Sequence, residues 1–190
     1  MTVANTDDVQ MEKRGNLGLI TLTRTKALNA LNRDMCIAIL AALDEWAEDE
    51  EVSVVAIQGD GDRAFCAGGD VVGLYHAGKA GAADWQDFFA DEYRMNHRIG
   101  TYPKPFVALI DGITMGGGVG LSIHAPYRVA TERTLFAMPE TGIGLITDVG
   151  ATHALPRLEG ELGTYLGLTG ARLKAEDCLY AGIATHYMES

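Results

Sequence analysis

The chain has 190 residues, 47% of them hydrophobic, 22% charged and 7% aromatic. That is enough apolar material for a buried core and too much for a disordered chain. Fifteen Lys and Arg against 26 Asp and Glu leave a formal charge of −11, which argues against nucleic acid or an anionic membrane as the main partner. Cys36, Cys66 and Cys178 are odd in number and lack framework spacing, so they are expected as reduced thiols in a cytoplasmic compartment.

Residues 1–15 are polar, carry no apolar stretch of the secretory type, and read as a loose leader; residues 16–190 read as one core domain. No apolar run approaches the roughly 18 to 20 residues that cross a bilayer. In chain order, LGLITLT from Leu17 to Thr23 alternates and predicts a strand. Asn29 or Asn32 caps a predicted helix to about Glu48, with Met35, Ile39, Leu43 and Trp46 at helical spacing. Val52 to Gln58 predicts a strand buried on both faces, followed by a Gly- and Asp-rich loop over Gly59 to Gly69. A short helix is expected over Asp70–His76, a flexible segment over Ala77–Ala83, and a long helix over Asp84–Ile99. Phe106–Ile110 is a further buried strand running into GGGVG at 116–120, with a helix through Ser122 after it. Tyr127–Thr131 and Leu135–Ala137 predict short strands, residues beyond Asp148 read as helical, and 184–188 as a last strand. Buried strands alternating with helices indicate α/β architecture with largely parallel pairing.

Two glycine-rich turns stand out, FCAGGD at 65–70 and MGGGVG at 115–120. Two such turns can present backbone N–H groups at helix starts, where developing negative charge is favoured, and so form a candidate oxyanion hole. A dinucleotide fingerprint does not fit, because its third glycine falls on Leu121, and no Gly-Lys-Ser/Thr is present. Ser122 in GLSIH misses the nucleophile elbow by its last glycine and reads as a helix serine. Cys66 reads as a packed thiol, and the histidines lack metal-ligand spacing. The acids are better candidates. Glu140 in AMPETGIG follows a short strand, and Asp148 in ITDVG is either an acid of the same pocket or a helix cap. Lys13, Arg14, Arg24, Lys26 and Arg33 form a basic stretch without an acid, suited to the phosphates of a small anion or simply to solvent.

RTKALNALN at 24–32, GDRAFCAGGD at 61–70, PKPFVALIDGITMGGGVGLS at 103–122 and FAMPETGIGL at 136–145 together resemble the crotonase superfamily of enoyl-CoA hydratases and isomerases, most nearly its 3-hydroxyisobutyryl-CoA hydrolase branch. The resemblance covers about Gly15 to Ser190 and implies a spiral of ββα units that holds an acyl-CoA. It implies that the amides of Gly69 and Gly117 hold the thioester oxygen. The hydratases pair two glutamates, of which one matches Glu140 and the other falls on Gly120; the hydrolase branch pairs the matches of Glu140 and Asp148 instead. Glu92 matches a substrate-contacting glutamate, and Arg24, Lys26, Ala27, Gly68 and Asp70 join it as expected substrate contacts. The chain departs from that branch at Ile146-Thr147, where Phe-Pro is usual, and at Gly150-Ala151, where a glycine pair is usual. The resemblance further implies a helical C-terminal part in longer members, which is expected to be absent from this chain. The expectation is thioester hydrolysis without metal or redox cofactor, in valine breakdown, by an assembly of three or more copies. A hydratase or isomerase, and a non-catalytic acyl-CoA-binding or interaction protein, are the alternatives.

Overall fold

Val9 and Met11 are buried while Gln10 and Glu12 between and after them are exposed, and this period of two makes Val9–Arg14 a strand, β1. It pairs antiparallel with β2, Leu17–Leu22. The loose leader expected over 1–15 is thereby corrected for residues 9–14. Polar side chains on the exposed face mask the strand in composition, and two apolar residues suffice to seat it. The structure, a computed structural model, describes residues 6–190, so residues 1–5 of that leader lie outside the described residues.

A 3-10 turn at Thr25–Ala27 leads to α1, Arg33–Glu48, which buries Met35, Cys36, Ile39, Ala42, Leu43 and Trp46 along one stripe. Of the two cap candidates the structure uses Asn32, whose side chain accepts the Met35 amide at 2.9 Å; Asn29 is instead buried and donates to the Ala64 carbonyl at 2.8 Å. β3 (Val54–Gly59) lies parallel to β2. The loop expected next contains a short buried strand, β4 (Ala64–Cys66). α2 (Val71–Lys79) takes in the first part of the segment expected to be flexible, and α3 (Asp87–Gly100) crosses α1. Then come β5 (Phe106–Ile110), β6 (Ile113–Met115), α4 (Gly117–Ser122), β7 (Tyr127–Ala130) and β8 (Leu135–Ala137). The remainder is α5 (Ala151–Ala154), α6 (Leu162–Thr169), β9 (Leu173–Lys174), α7 (Ala175–Tyr180) and β10 (His186–Tyr187).

The strands form two sheets, ordered β1-β2-β3-β5-β7-β10 and β4-β6-β8-β9. Successive pairs β3/β4, β5/β6 and β7/β8 each give one strand to each sheet, and a helical segment carries the chain back to start the next pair. This is the spiral of ββα units that the resemblance implies. Its consequence for function is local. β4, β6 and β8 are parallel neighbours, with Cys66 beside Thr114 and Met115 beside Ala137, so their C-terminal ends lie side by side.

Asn32 also donates to Asp8 Oδ2 at 2.7 Å, tying the α1 cap to the residue before β1. Asn32→Ala is therefore expected to lower the unfolding free energy by about 1 to 2 kcal/mol in urea titration, and Asn32→Ser, which keeps a cap, to recover most of it.

Candidate functional site

Three segments leave the shared end of β4, β6 and β8: the turn at 66–70, the turn at 115–118, and Met138-Pro139-Glu140. The first is zipped to the loop before α1. Leu31 donates to the Gly68 carbonyl, and Asp70 donates to the Leu31 carbonyl, each at 2.8 Å. Gly69 sits between them, and among the described residues its amide has no backbone acceptor; the Gly117 amide has none either. The two turns touch backbone to backbone. A Cβ on Gly118 would lie 2.2 Å from the Cys66 carbonyl oxygen, so no side chain can stand there. A Cβ on Gly68 would fall 3.9 Å from the Gly117 nitrogen, which brings the two expected amide donors near each other.

Two buried acids flank the second turn. Glu92 on α3 is 2% exposed, and a Cβ on Gly117 would meet its Oε1 at 2.6 Å. Glu140 opens a 3-10 turn after β8, is 6% exposed, and its Oε1 lies 3.0 Å from where a Cβ on Gly116 would be. Glu92 Oε1 and Glu140 Oε2 are buried without a hydrogen-bond partner among the described residues. Burial pushes the Glu140 carboxyl up to about 7, with a further push from the charge of Asp148. Burial likewise pushes Glu92 up to about 8, helped by Asp148 and Glu140. Asp148 is half-buried in the loop before α5. The cap of that helix is Gly150, with no side-chain bond, so the capping role weighed for Asp148 is not what the structure shows. Its Oδ2 accepts instead from the Tyr93 hydroxyl at 2.7 Å.

The expected substrate contacts separate into two groups. Glu92, Gly68 and Gly69 border the acid cleft. Arg24 does not present a free guanidinium: it bonds the Ala30 carbonyl at 2.7 Å and Asp70 Oδ2 at 3.0 Å, with Asp8 at 3.5 Å. Asp70 is also the cap of α2, accepting from Gly73 at 2.9 Å, and this amide, followed by the arginine, holds its carboxyl below the usual range. Lys26 is exposed with no ion-pair partner among the described residues, and Ala27 lies beside it in the same 3-10 turn. Ser122 donates to the Gly118 carbonyl at 2.9 Å, as a helix serine does. Cys66 is fully buried, and burial pushes its thiol up to about 12, far from a reactive thiolate. Among the described residues, no group of three His, Cys, Asp or Glu is arranged to hold a metal ion.

Sequence reasoning missed Tyr93, Asn96 and His124. Asn96 is 4% exposed with neither amide atom partnered, one helical turn beyond Glu92. That i, i+4 polar pair on the apolar face of a helix was a readable signal. His124 lies against the loop carrying Asp148, its Nε2 2.8 Å from the Val149 carbonyl, and burial holds its pKa below the ordinary value.

Residues 17–190 match the family model described as enoyl-CoA hydratase/isomerase. The chain belongs to this family. It is 57% identical over 183 residues to the mitochondrial 3-hydroxyisobutyryl-CoA hydrolase of Danio rerio, covering 96% of this chain and 48% of that protein. It is 52% identical over 187 residues to the small ribosomal subunit protein mS47 of Neurospora crassa, covering 97% of this chain and 37% of that protein. A crystal structure named as an enoyl-CoA hydratase from Rhodobacter sphaeroides superposes with a TM-score of 0.92 at 50% identity, over 96% of this chain and 54% of that one. The chain thus spans about half the length of the curated relatives it matches.

Within this family Gly120 stands, by the resemblance, where hydratases carry their second glutamate. A Cβ there would meet Val149 Cβ at 2.7 Å and both amide atoms of Asn96 at 2.9 Å. The room for that acid is already filled. Polarity in the cleft comes instead from Glu92, Asn96, Glu140 and Asp148. The raised acids carry a stability consequence. Glu92 binds its proton more tightly in the folded chain than at the ordinary 4.5, so its contribution is complete below about pH 4.5 and lost as pH rises through about 8. In urea titrations between about pH 5 and pH 8, Glu92→Gln is expected to flatten the decline of stability seen in the unaltered chain.

Proposed function

We propose that this chain carries the reacting groups of a thioester hydrolase whose substrate is 3-hydroxyisobutyryl-CoA, as in valine breakdown. One arrangement carries the reading: the buried Glu140, its Oε2 without a hydrogen-bond partner among the described residues, beside two turns with open Gly69 and Gly117 amides, with Asp148 close enough to act on it electrostatically. The hydrolase name of the Danio rerio relative supports it. The two amides take the thioester oxygen as charge develops on it, each contributing roughly 3 kcal/mol in the transition state. Glu140, raised to about 7, is half ionised near neutral pH and either attacks the acyl carbon or takes a proton from the water that does. Asp148 orients that water or returns the proton to the leaving sulfur. In sum, the oxygen of water bonds the acyl carbon, the C–S bond breaks, and one proton ends on the CoA sulfur. Glu92, raised to about 8, stays protonated at neutral pH and donates to the substrate. No step needs a metal or redox cofactor.

Assembly into trimers or larger forms belongs to the same proposal, supported by the exposed apolar side chains of Val71, Val72, Ile143, Ile146 and Leu168. No helix among the described residues is long and apolar enough to cross a membrane. Three buried free thiols suit a reducing compartment, either the cytoplasm expected from composition or the mitochondrial address in the name of the Danio rerio relative. The ribosomal name of the mS47 relative favours one second reading, a non-catalytic acyl-CoA-binding or interaction protein. CoA binding with no thiol release would establish it.

Thiol release from a panel of acyl-CoAs decides between these readings. Turnover of 3-hydroxyisobutyryl-CoA and none of crotonyl-CoA is expected. Glu140→Gln should lower kcat by roughly 10² or more with little change in KM. Because the base must be ionised, kcat of the unaltered enzyme should rise with pH through about 7 and be lost below it. Asp148→Asn should also abolish most turnover while leaving the melting temperature unchanged, since Asp148 caps no helix.

Among the described residues Lys26 has no ion-pair partner, whereas Arg24 is paired with Asp70. Lys26→Gln is expected to raise KM for acyl-CoA, and to reduce its salt sensitivity, without changing kcat or the KM of an acyl-pantetheine that lacks the nucleotide phosphates. Arg24→Gln should instead lower the melting temperature, because it strips Asp70 and the Ala30 carbonyl of their partner.

A further inference from the structure

Asp148 is delivered by an unusual stretch of backbone. Val149 follows it at φ 47 and Gly150 at φ 76, and a β-branched residue rarely adopts the left-handed region. Such a turn persists only where its surroundings over-determine it. Here they do: His124 Nε2 lies 2.8 Å from the Val149 carbonyl, Ala151 donates to the Asp148 carbonyl at 2.8 Å, and Thr147 Oγ1 donates to the Gly167 carbonyl at 3.1 Å. These contacts hold the backbone on both sides of Asp148 and leave its side-chain torsions undetermined. Among the described residues one group touches the carboxylate, the Tyr93 hydroxyl, at 2.7 Å from Oδ2; Oδ1 has no such partner.

Tyr93 is carried by α3. It follows Glu92 on α3, and its ring lies 6.2 Å from that of Phe89, which meets Phe88 edge-on at 5.3 Å. Phe88 in turn backs the first turn, since its ring lies 3.0 Å from where a Cβ on Gly69 would be. α3 therefore reaches the Gly69 turn through Phe88 and the Gly117 turn through Glu92 on its buried face, and Asp148 through Tyr93 at the exposed edge of that face.

We propose that Tyr93 is a positioning residue for the hydrolysis, its hydroxyl holding Asp148 by Oδ2 so that Oδ1 is left to the water or the departing proton. This rests on the reading of Asp148 as a reacting acid. Because Tyr93 is 43% exposed and phenylalanine keeps its ring contacts, Tyr93→Phe tests the hydroxyl alone. The test is a double-mutant cycle of Tyr93→Phe and Asp148→Asn on the whole chain, reading kcat, KM and melting temperature with 3-hydroxyisobutyryl-CoA. Tyr93→Phe is expected to lower kcat about tenfold at unchanged KM and melting temperature, and to change kcat less than about twofold when Asp148 is already Asn. Equal losses in both backgrounds would overturn the proposal, because Tyr93 would then act without Asp148. A melting-temperature drop that accounts for the loss, or unaltered kcat in Tyr93→Phe beside an inactive Asp148→Asn, would overturn it and leave the hydrolase reading standing. Full turnover in Asp148→Asn would overturn the role of Asp148 and this proposal with it.

Discussion

The site depends on the parallel ladder of β4, β6 and β8. Parallel neighbours end on the same side, so whatever follows each strand is delivered to one edge of the sheet. The residues that follow are the Gly69 turn, the Gly117 turn and Glu140. The middle strand brings the middle piece, which is why the Gly117 turn lies between its two neighbours. Contact then tightens to backbone on backbone, and Gly118 is obligatory because any Cβ would overlap the Cys66 carbonyl.

α3 closes the cleft from the other direction and determines its polarity. It is pinned to α1 by Arg33, which reaches Asp91 at 2.7 Å and Asp87 at 3.1 Å. From that fixed position it lowers Glu92 and Asn96 onto the glycine face of α4. Burying these groups without partners costs stability, by about 1 to 3 kcal/mol for each unsatisfied group. The same dryness raises Glu140 and Glu92, so stability is given up at the proposed site.

Relatives with closely similar chains carry the names hydrolase, hydratase and ribosomal protein. Fold alone does not separate these roles, and single positions must. Gly120 is such a position, for its space is taken by Val149 and Asn96. Val149, in the left-handed region, has its Cβ there, so the turn that presents Asp148 also excludes a second glutamate on α4.

Much of the fold was legible locally. The strands at 17–22, 54–59 and 106–110, the helices α1 and α3, and the two glycine turns all announce themselves through residues a few positions apart. β1 escaped because two apolar residues among charges carry little compositional weight, and β4, β6 and β9 because two or three residues hold no period. Glu140 was legible as an acid after a strand, while its match to a known motif was what singled it out among 26 acids. By itself the sequence determined the longer strands and helices, and which residue types stand at the turns, because those depend on neighbours along the chain. Only the tertiary structure decided that Arg24 is neutralised by Asp70, 46 residues away, and that Tyr93 holds Asp148, 55 residues away. Side-chain partners so distant in sequence are chosen by how strands order and helices cross, and no local pattern encodes that order.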